Sequence, residues 1–171
     1  TMSVSGVNSI KDSAGVLPPN IGEYHHRENG EITLLVDVRL NAECKPENIN
    51  KFAIIGTLFA KHILNVTEPR VGLVNLGAEE GKGNLLTQAA FPMLKENTQI
   101  NFIGNVEGRD FLTETADVFV CDGFTGNVML KFAESIYDIL KRRNIQDKYF
   151  DGFNFEIYGG VPLLGVNNPV I

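Results

Sequence analysis

The 171-residue sequence has few cysteines, no long apolar run and no excess of basic residues. Its two cysteines, Cys44 and Cys121, lie far apart and lack metal-site spacing or a neighbouring histidine motif. We therefore expect them to be small buried side chains in a reducing compartment rather than catalytic thiols. No apolar run approaches the roughly 20 residues that a membrane-spanning helix needs. Because the N-terminus also lacks the pattern of a secretory signal peptide, we expect a cytoplasmic protein.

The balance of charge is acidic, with a formal net charge of −6 at pH 7. Proteins that bind nucleic acid usually carry a basic surface, so we expect no nucleic-acid partner. An acidic protein can still bind phosphate, because a few local cations and backbone N–H groups suffice. The hydrophobic fraction of 43% is typical of a globular chain with a real core.

Residues 1–31 are rich in serine, glycine, asparagine and proline and show no regular period. They predict an irregular N-terminal arm. His25 and His26 lie in this arm without any carboxylate or cysteine pattern, which favours a solvated pair over a metal site. We expect no resident metal and no cofactor.

From Ile32 onward, apolar strand-like runs alternate with segments of helical periodicity. The predicted strands lie near residues 32–38, 71–76, 100–104 and 117–121, and the predicted helices near 46–64, 84–96 and 128–143. This alternation implies right-handed crossovers, so we predict an α/β fold with a largely parallel sheet flanked by helices. The predicted α/β domain covers residues 32–171.

Glycine-rich polar segments follow three of these strands, at residues 76–84, 104–110 and 122–127. In a parallel sheet such loops emerge at the carboxyl edge, where open α/β sheets bind ligands. Backbone N–H groups at the start of a helix suit an anion such as phosphate, and Lys82 and Arg109 add positive charge. In the alternative interpretation the glycines are only turns, Lys82 is a solvated charge and Asn127 is a helix N-cap.

The C-terminal segment, residues 144–171, is rich in aromatic residues and glycine. Its aromatic side chains expose too much apolar area to remain in water. We expect residues 149–165 to pack on the sheet or on a second subunit, with peripheral membrane association as a further alternative.

Five stretches carry a specific set of motifs, at residues 35–47, 69–84, 101–110, 116–128 and 158–165. They include the runs Asn-Phe-Ile-Gly-Asn-Val-Glu-Gly-Arg-Asp and Cys-Asp-Gly-Phe-Thr-Gly-Asn. Together they closely resemble the bacterial phosphate acyltransferases of phospholipid synthesis, the PlsX family. The resemblance covers residues 32–171.

This resemblance implies a reaction, in which an acyl group passes from acyl carrier protein to inorganic phosphate and gives an acyl phosphate. It also implies a fold like that of isocitrate and isopropylmalate dehydrogenases, and a homodimer with its site near the interface. The family's functional lysine and asparagine fall on Lys82 and Asn127. A lysine can bind phosphate as a point charge, and an asparagine amide can stabilise the developing oxyanion.

The resemblance therefore predicts Lys82 and Asn127 as catalytic residues, which we expect to share one crevice with Asn105 and Arg109. The predicted phosphate- or substrate-binding residues are Asn41, Gly83, Asn84, Asn105, Glu107, Arg109, Asp122, Gly123, Thr125 and Gly126.

The sequence also departs from the family. Family members are considerably longer, and their N-terminal half is not recognisable in residues 1–31. Arg39 and Leu40 replace small residues at a place where glycine would permit a positive φ or a close approach to ligand. We therefore expect a truncated chain that alone is nearly inactive. One alternative is a catalytically weak remnant or binding module of the same fold, and another is phosphate acetyltransferase-like acyl transfer to coenzyme A.

Overall fold

The computed structural model describes residues 21–24, 32–146 and Tyr149, and in it five strands form one sheet. The strands are β1 (Ile21–Tyr24), β2 (Thr33–Val36), β3 (Arg70–Asn75), β4 (Asn101–Glu107) and β5 (Val118–Val120). Their order is β1-β2-β5-β3-β4. Strands β2, β5, β3 and β4 are parallel, and β1 pairs antiparallel with β2. The predicted parallel α/β fold is confirmed.

Three α-helices flank the parallel strands, and their starts follow local sequence rules. The helices are α1 (Pro46–His62), α2 (Leu85–Glu96) and α3 (Gly123–Arg142), and a short 3-10 helix spans Gly108–Leu112. Pro46 occupies the first turn of α1, where its missing N–H costs no hydrogen bond. The N-terminal amides of α2 and α3 are capped by the side chains of Asn84 and Asp122.

The two faces of the sheet bury two separate apolar clusters. Helices α1 and α2 cover one face, where Phe52 and Leu94 pack with Leu34 and Val118. Helix α3 and the 3-10 helix cover the other face, where Leu35, Phe119 and Leu130 pack with Phe111. Neighbouring residues such as Leu34 and Leu35 enter opposite clusters because side chains alternate along a strand. Most parallel strand residues are therefore buried from both sides, as their continuous apolar runs indicate.

Strand β1 lies inside the segment that was predicted to be irregular, so that prediction is wrong for residues 21–24. A four-residue strand containing Gly22 is too short to show a clear alternating pattern. It forms because β2 would otherwise present an unpaired edge, and Ile21 becomes fully buried in the process.

Two predicted boundaries also shift. Strand β4 continues to Glu107, because Gly104 sits at a bulge with φ of +103° rather than in a loop. Helix α3 begins at Gly123 rather than at residue 128, so the two glycines of the expected turn lie within its first turns. Glycine disfavours helix locally, and here tertiary contacts override that preference.

Several expectations fall outside the described residues. They are the solvated pair at His25 and His26, the motif at 158–165 and the packing of the aromatic segment beyond Tyr149. Within residues 21–24, 32–146 and Tyr149, no helix is both long and apolar enough to cross a membrane.

Candidate functional site

The fold places the predicted site residues at or just beyond the carboxyl edge of the parallel strands, except Asn127, which lies in the second turn of α3. Asn41 follows β2, and residues 122–127 follow β5. Residues 82–84 follow β3, and Asn105, Glu107 and Arg109 lie at or just beyond the end of β4. Because the strand order is β2-β5-β3-β4, these residues form one group on β2 and β5 and a neighbouring group on β3 and β4.

Asn75, the last residue of β3, makes three side-chain hydrogen bonds within the group on β3 and β4. Its Nδ2 donates to the backbone oxygen of Lys82 at 3.0 Å and to Oδ1 of Asn105 at 3.1 Å. Its Oδ1 accepts from the backbone N–H of Leu76 at 2.9 Å. Asn105, which is 8% exposed, donates from Nδ2 to the backbone oxygen of Glu79 at 2.8 Å. These two asparagines tie the 76–84 loop to the sheet.

The 76–84 loop presents Lys82 to solvent on a fixed backbone. Gly83 has φ of +105°, and a Cβ there would overlap side-chain atoms of Thr87 and Asn75, so only glycine fits. Gln88 Nε2 also donates a hydrogen bond to the backbone oxygen of Gly83 at 2.9 Å. The Lys82 side chain is exposed, and within the described ranges no carboxylate forms an ion pair with it. A fixed loop carrying an uncompensated cation suits an anionic ligand.

Three other predicted binding residues have protein partners at this edge. Asn84 caps helix α2 by accepting from the backbone N–H of Thr87 at 2.9 Å. The Arg109 guanidinium donates to Glu107 Oε1 at 3.0 Å while its side chain stays 78% exposed. Arg109 is therefore partly neutralised by its own neighbour but can still face an approaching anion.

Around β2 and β5, a buried carboxylate organises the start of α3. Asp37 is fully buried, and its Oδ2 accepts from both the backbone N–H and the Nδ2 of Asn41 at 2.8 Å. The backbone oxygen of Asn41 in turn accepts from the Gly123 N–H at 2.8 Å. A Cβ at Gly123 would meet Asn41 N at 2.8 Å, so the close approach of these segments needs glycine.

The N-terminal turn of α3 differs from the open anion cradle that the sequence predicted. Asp122 accepts from the backbone N–H and the Oγ1 of Thr125, both at 2.8 Å, and its backbone oxygen accepts from Gly126 N–H at 3.0 Å. The backbone N–H groups of Gly123, Thr125 and Gly126 therefore already have acceptors within the protein, and the Asp122 carboxylate lies at the N-terminus of the helix. The alternative role of Asn127 as N-cap is wrong, because Asp122 holds that position and Asn127 lies more than one turn inside the helix.

The two cysteines beside this group are poor nucleophiles. Burial, with the nearby carboxylates of Asp122 and Asp37, raises the pKa of the Cys44 thiol from 9.0 to about 12. The same causes raise the pKa of Cys121 well above its usual value. Both thiols are therefore protonated near neutral pH, which makes covalent catalysis by either one unfavourable.

The sequence interpretation missed Asn75 and Asp37, the two side chains that organise the edge. Each is a polar residue at the end of an otherwise apolar strand run, and that contrast is the signal that could have found them. Asn75 links the Asn105 side chain to the backbone oxygen of Lys82. The wider prediction, that Asn127 and Arg109 share one crevice with Lys82 and Asn105, stays a prediction.

Residues 2–171 match the family described as "Fatty acid synthesis protein". The chain belongs to that family. It is 45% identical over 174 residues to a phosphate acyltransferase of Halothermothrix orenii, covering 90% of this chain and 52% of the relative. It is 42% identical to a phosphate acyltransferase of Aquifex aeolicus, covering 90% and 50%. The chain thus spans about half the length of these curated relatives.

Solved structures show which fold this family member shares. The EutD phosphotransacetylase of Staphylococcus aureus matches with a TM-score of 0.57 and 17% identity, over 74% of this chain and 44% of that one. A phosphotransacetylase of Streptococcus pyogenes matches with a TM-score of 0.53 and 18% identity, over 90% and 46%. At such low identity the likeness concerns the fold alone.

Proposed function

We propose that the protein transfers an acyl group from acyl carrier protein to inorganic phosphate, giving an acyl phosphate for phospholipid synthesis. The observation that carries this proposal is the similarity to phosphate acyltransferases at 42 to 45% identity over about nine-tenths of the chain. The arrangement at the carboxyl edge supports it, because a fixed loop there presents an exposed lysine.

Lys82 binds the phosphate in this proposal, and Asn127 donates its side-chain amide to the oxyanion that develops on the thioester carbonyl. Phosphate oxygen attacks the carbonyl carbon, the carbon–sulfur bond breaks, and the carrier thiolate leaves and takes a proton from solvent. Asn75 and Asn105 act as positioning residues, because their side-chain amides form hydrogen bonds that fix the 76–84 loop. Holding reactants in place and stabilising developing charge are the two large sources of catalysis for such a reaction.

The proposal includes a homodimer with the site near its interface. Helix α3 carries an exposed apolar stripe formed by Phe124, Val128 and Phe132, which are 66%, 53% and 68% exposed. Residues four apart lie on one helix face, so the stripe is continuous. It begins at the same helix end that carries Asp122, and a second subunit that covers it would therefore lie beside the candidate site. We further propose a cytoplasmic location for this enzyme.

Two alternatives make different chemical predictions. A remnant or binding module would bind phosphate without turnover. Acyl transfer to coenzyme A is favoured only by the shared fold of the phosphotransacetylases, which says nothing about the acyl acceptor or donor. Measuring turnover with the acyl-carrier-protein thioester and with the coenzyme A thioester separates the two enzyme proposals.

The decisive experiment measures phosphate-dependent release of free carrier protein from an acyl thioester by the natural protein. We expect Lys82→Ala to raise the KM for phosphate, and Asn127→Ala to lower kcat by roughly a hundredfold, as loss of one oxyanion donor does. Lys61→Ala is the matched control for Lys82→Ala, because it removes an exposed cation in the last turn of α1, away from the carboxyl edge of the sheet. Normal turnover of both site variants, or turnover only with the coenzyme A thioester, would refute the proposal.

A further inference from the structure

A polar cleft opens at the amino edge of the sheet, at the opposite ends of the strands from the candidate active site. Its volume is about 260 Å³. The end of α1 and the segments that precede β3 and β4 form its wall. The lining residues are Thr57, Lys61, Glu68, Pro69, Thr98, Gln99, Ile100 and Asn101. A ligand in this cleft could not touch Lys82 or Asn127.

Thr57 gives the cleft a buried polar group that lacks a partner. The residue is 3% exposed, and its Oγ1 is the one buried side-chain nitrogen or oxygen atom in the described residues without a hydrogen bond. A threonine inside a helix usually bonds to a carbonyl of the preceding turn. Leaving a buried hydroxyl unpaired is unfavourable, so a group that fills this need is expected in the cleft.

The charges on the rim indicate the chemistry of such a group. Lys61 and Glu68 are both exposed, have opposite charge and line the same small cleft. Among the described residues, neither of them forms an ion pair. An anionic group can meet the Lys61 ammonium while a cationic group meets the Glu68 carboxylate, and the amides of Gln99 and Asn101 supply further polar contacts.

We propose that this cleft binds a small zwitterion that carries an ammonium group and a carboxylate, as a free amino acid does. The anion pairs with Lys61, and the ammonium pairs with Glu68. Rotation of the Thr57 side chain brings its hydroxyl, which is sealed from solvent in the unliganded structure, into a hydrogen bond to the anion. A cleft of 260 Å³ corresponds to on the order of eight or nine water volumes, which is enough for a small amino acid together with several waters. This site is independent of the proposed acyl transfer.

The test is a titration of the isotope-labelled protein with L-threonine, a zwitterion small enough to enter the cleft, followed by backbone NMR. We expect saturable shifts at residues 57, 61, 68 and 98–101, with binding at roughly millimolar concentration because the ligand is small. Lys61→Met and Glu68→Gln should each weaken binding about tenfold, the effect of losing one charge-assisted hydrogen bond. Thr57→Val should also weaken binding, and it should raise the Tm of the unliganded protein by removing the unpaired hydroxyl.

Two controls make the result specific. Lys51→Met and Glu47→Gln change the same residue types at the other half of α1 and should bind as the unmodified protein does. Acetate and ethylammonium carry only one charge each and should shift the same amides weakly. The proposal is wrong if L-threonine gives no saturable shifts, if either single ion binds equally well, or if Lys61→Met and Glu68→Gln leave binding unchanged.

Discussion

Replacing Asn105 with alanine tests whether the sheet fixes the loop that carries Lys82. The side chain makes two hydrogen bonds, to the backbone oxygen of Glu79 at 2.8 Å and to Nδ2 of Asn75 at 3.1 Å. Each bond contributes about 1 kcal/mol net, and water can reach the groups left behind because Glu79 is exposed and Asn75 is half-buried. We therefore expect Asn105→Ala to lower the free energy of unfolding by about 2 kcal/mol.

Urea denaturation measures this loss directly. With an m-value of about 2 kcal/mol per molar urea, the midpoint should fall by about 1 M. Hydrogen exchange supplies a local measurement, since the Lys82 N–H donates to the Glu79 oxygen at 3.1 Å and should exchange faster once the loop is released. Asn105→Asp should be at least as destabilising, because it places a carboxylate against the Glu79 carbonyl in a buried position.

Asn101→Ala is the matched control for this prediction. Asn101 is exposed at the other end of the same strand, so the change should alter stability by less than about 0.5 kcal/mol. Equal midpoints for the Asn101 and Asn105 variants, or unchanged exchange of the Lys82 amide, would refute the idea that Asn105 anchors the loop.

Three further predictions concern the same edge of the sheet. Gly126→Ala should lower the free energy of unfolding by about 1 to 3 kcal/mol in urea, because the new Cβ would overlap the backbone oxygen of Asp37, even though alanine favours helix. Gly81→Ala places its Cβ in open space and should change this free energy little. Asp122→Asn should keep the α3 cap and lower the pKa of the Cys44 thiol, which is raised from 9.0 to about 12, so alkylation of Cys44 at pH 9 should be faster. The raised pKa stabilises the fold fully below pH 9.0, and this stabilisation is lost as the pH rises to about 12. Cys44→Ala should therefore flatten the fall in the free energy of unfolding over that pH range. Arg39→Gly should raise stability by about 1 kcal/mol, since Arg39 has φ of +150°, and an unchanged urea midpoint would contradict strain there.

The sequence by itself determined the class of fold and the edge that carries the candidate site. Apolar runs with β-branched residues predicted all four parallel strands, and helical periodicity predicted the three helices that flank them. Those signals are local, because burial on both faces of a parallel strand requires continuous apolar residues. Once the strands are parallel, every loop that follows a strand must lie at one edge, so the sequence alone placed the loop of Lys82 there.

Only the tertiary structure decided what the polar residues at that edge do. Asn105 was predicted to bind substrate, yet its amide joins Asn75 to the loop, and Asp122 caps a helix that begins five residues earlier than its periodicity indicated. Strand β1 forms only because the edge of β2 lies beside it. The physical reason is the same in each case: a hydrogen-bond partner or an unpaired strand edge is supplied by a segment distant in sequence, and residue type alone does not specify which partner the fold will bring near.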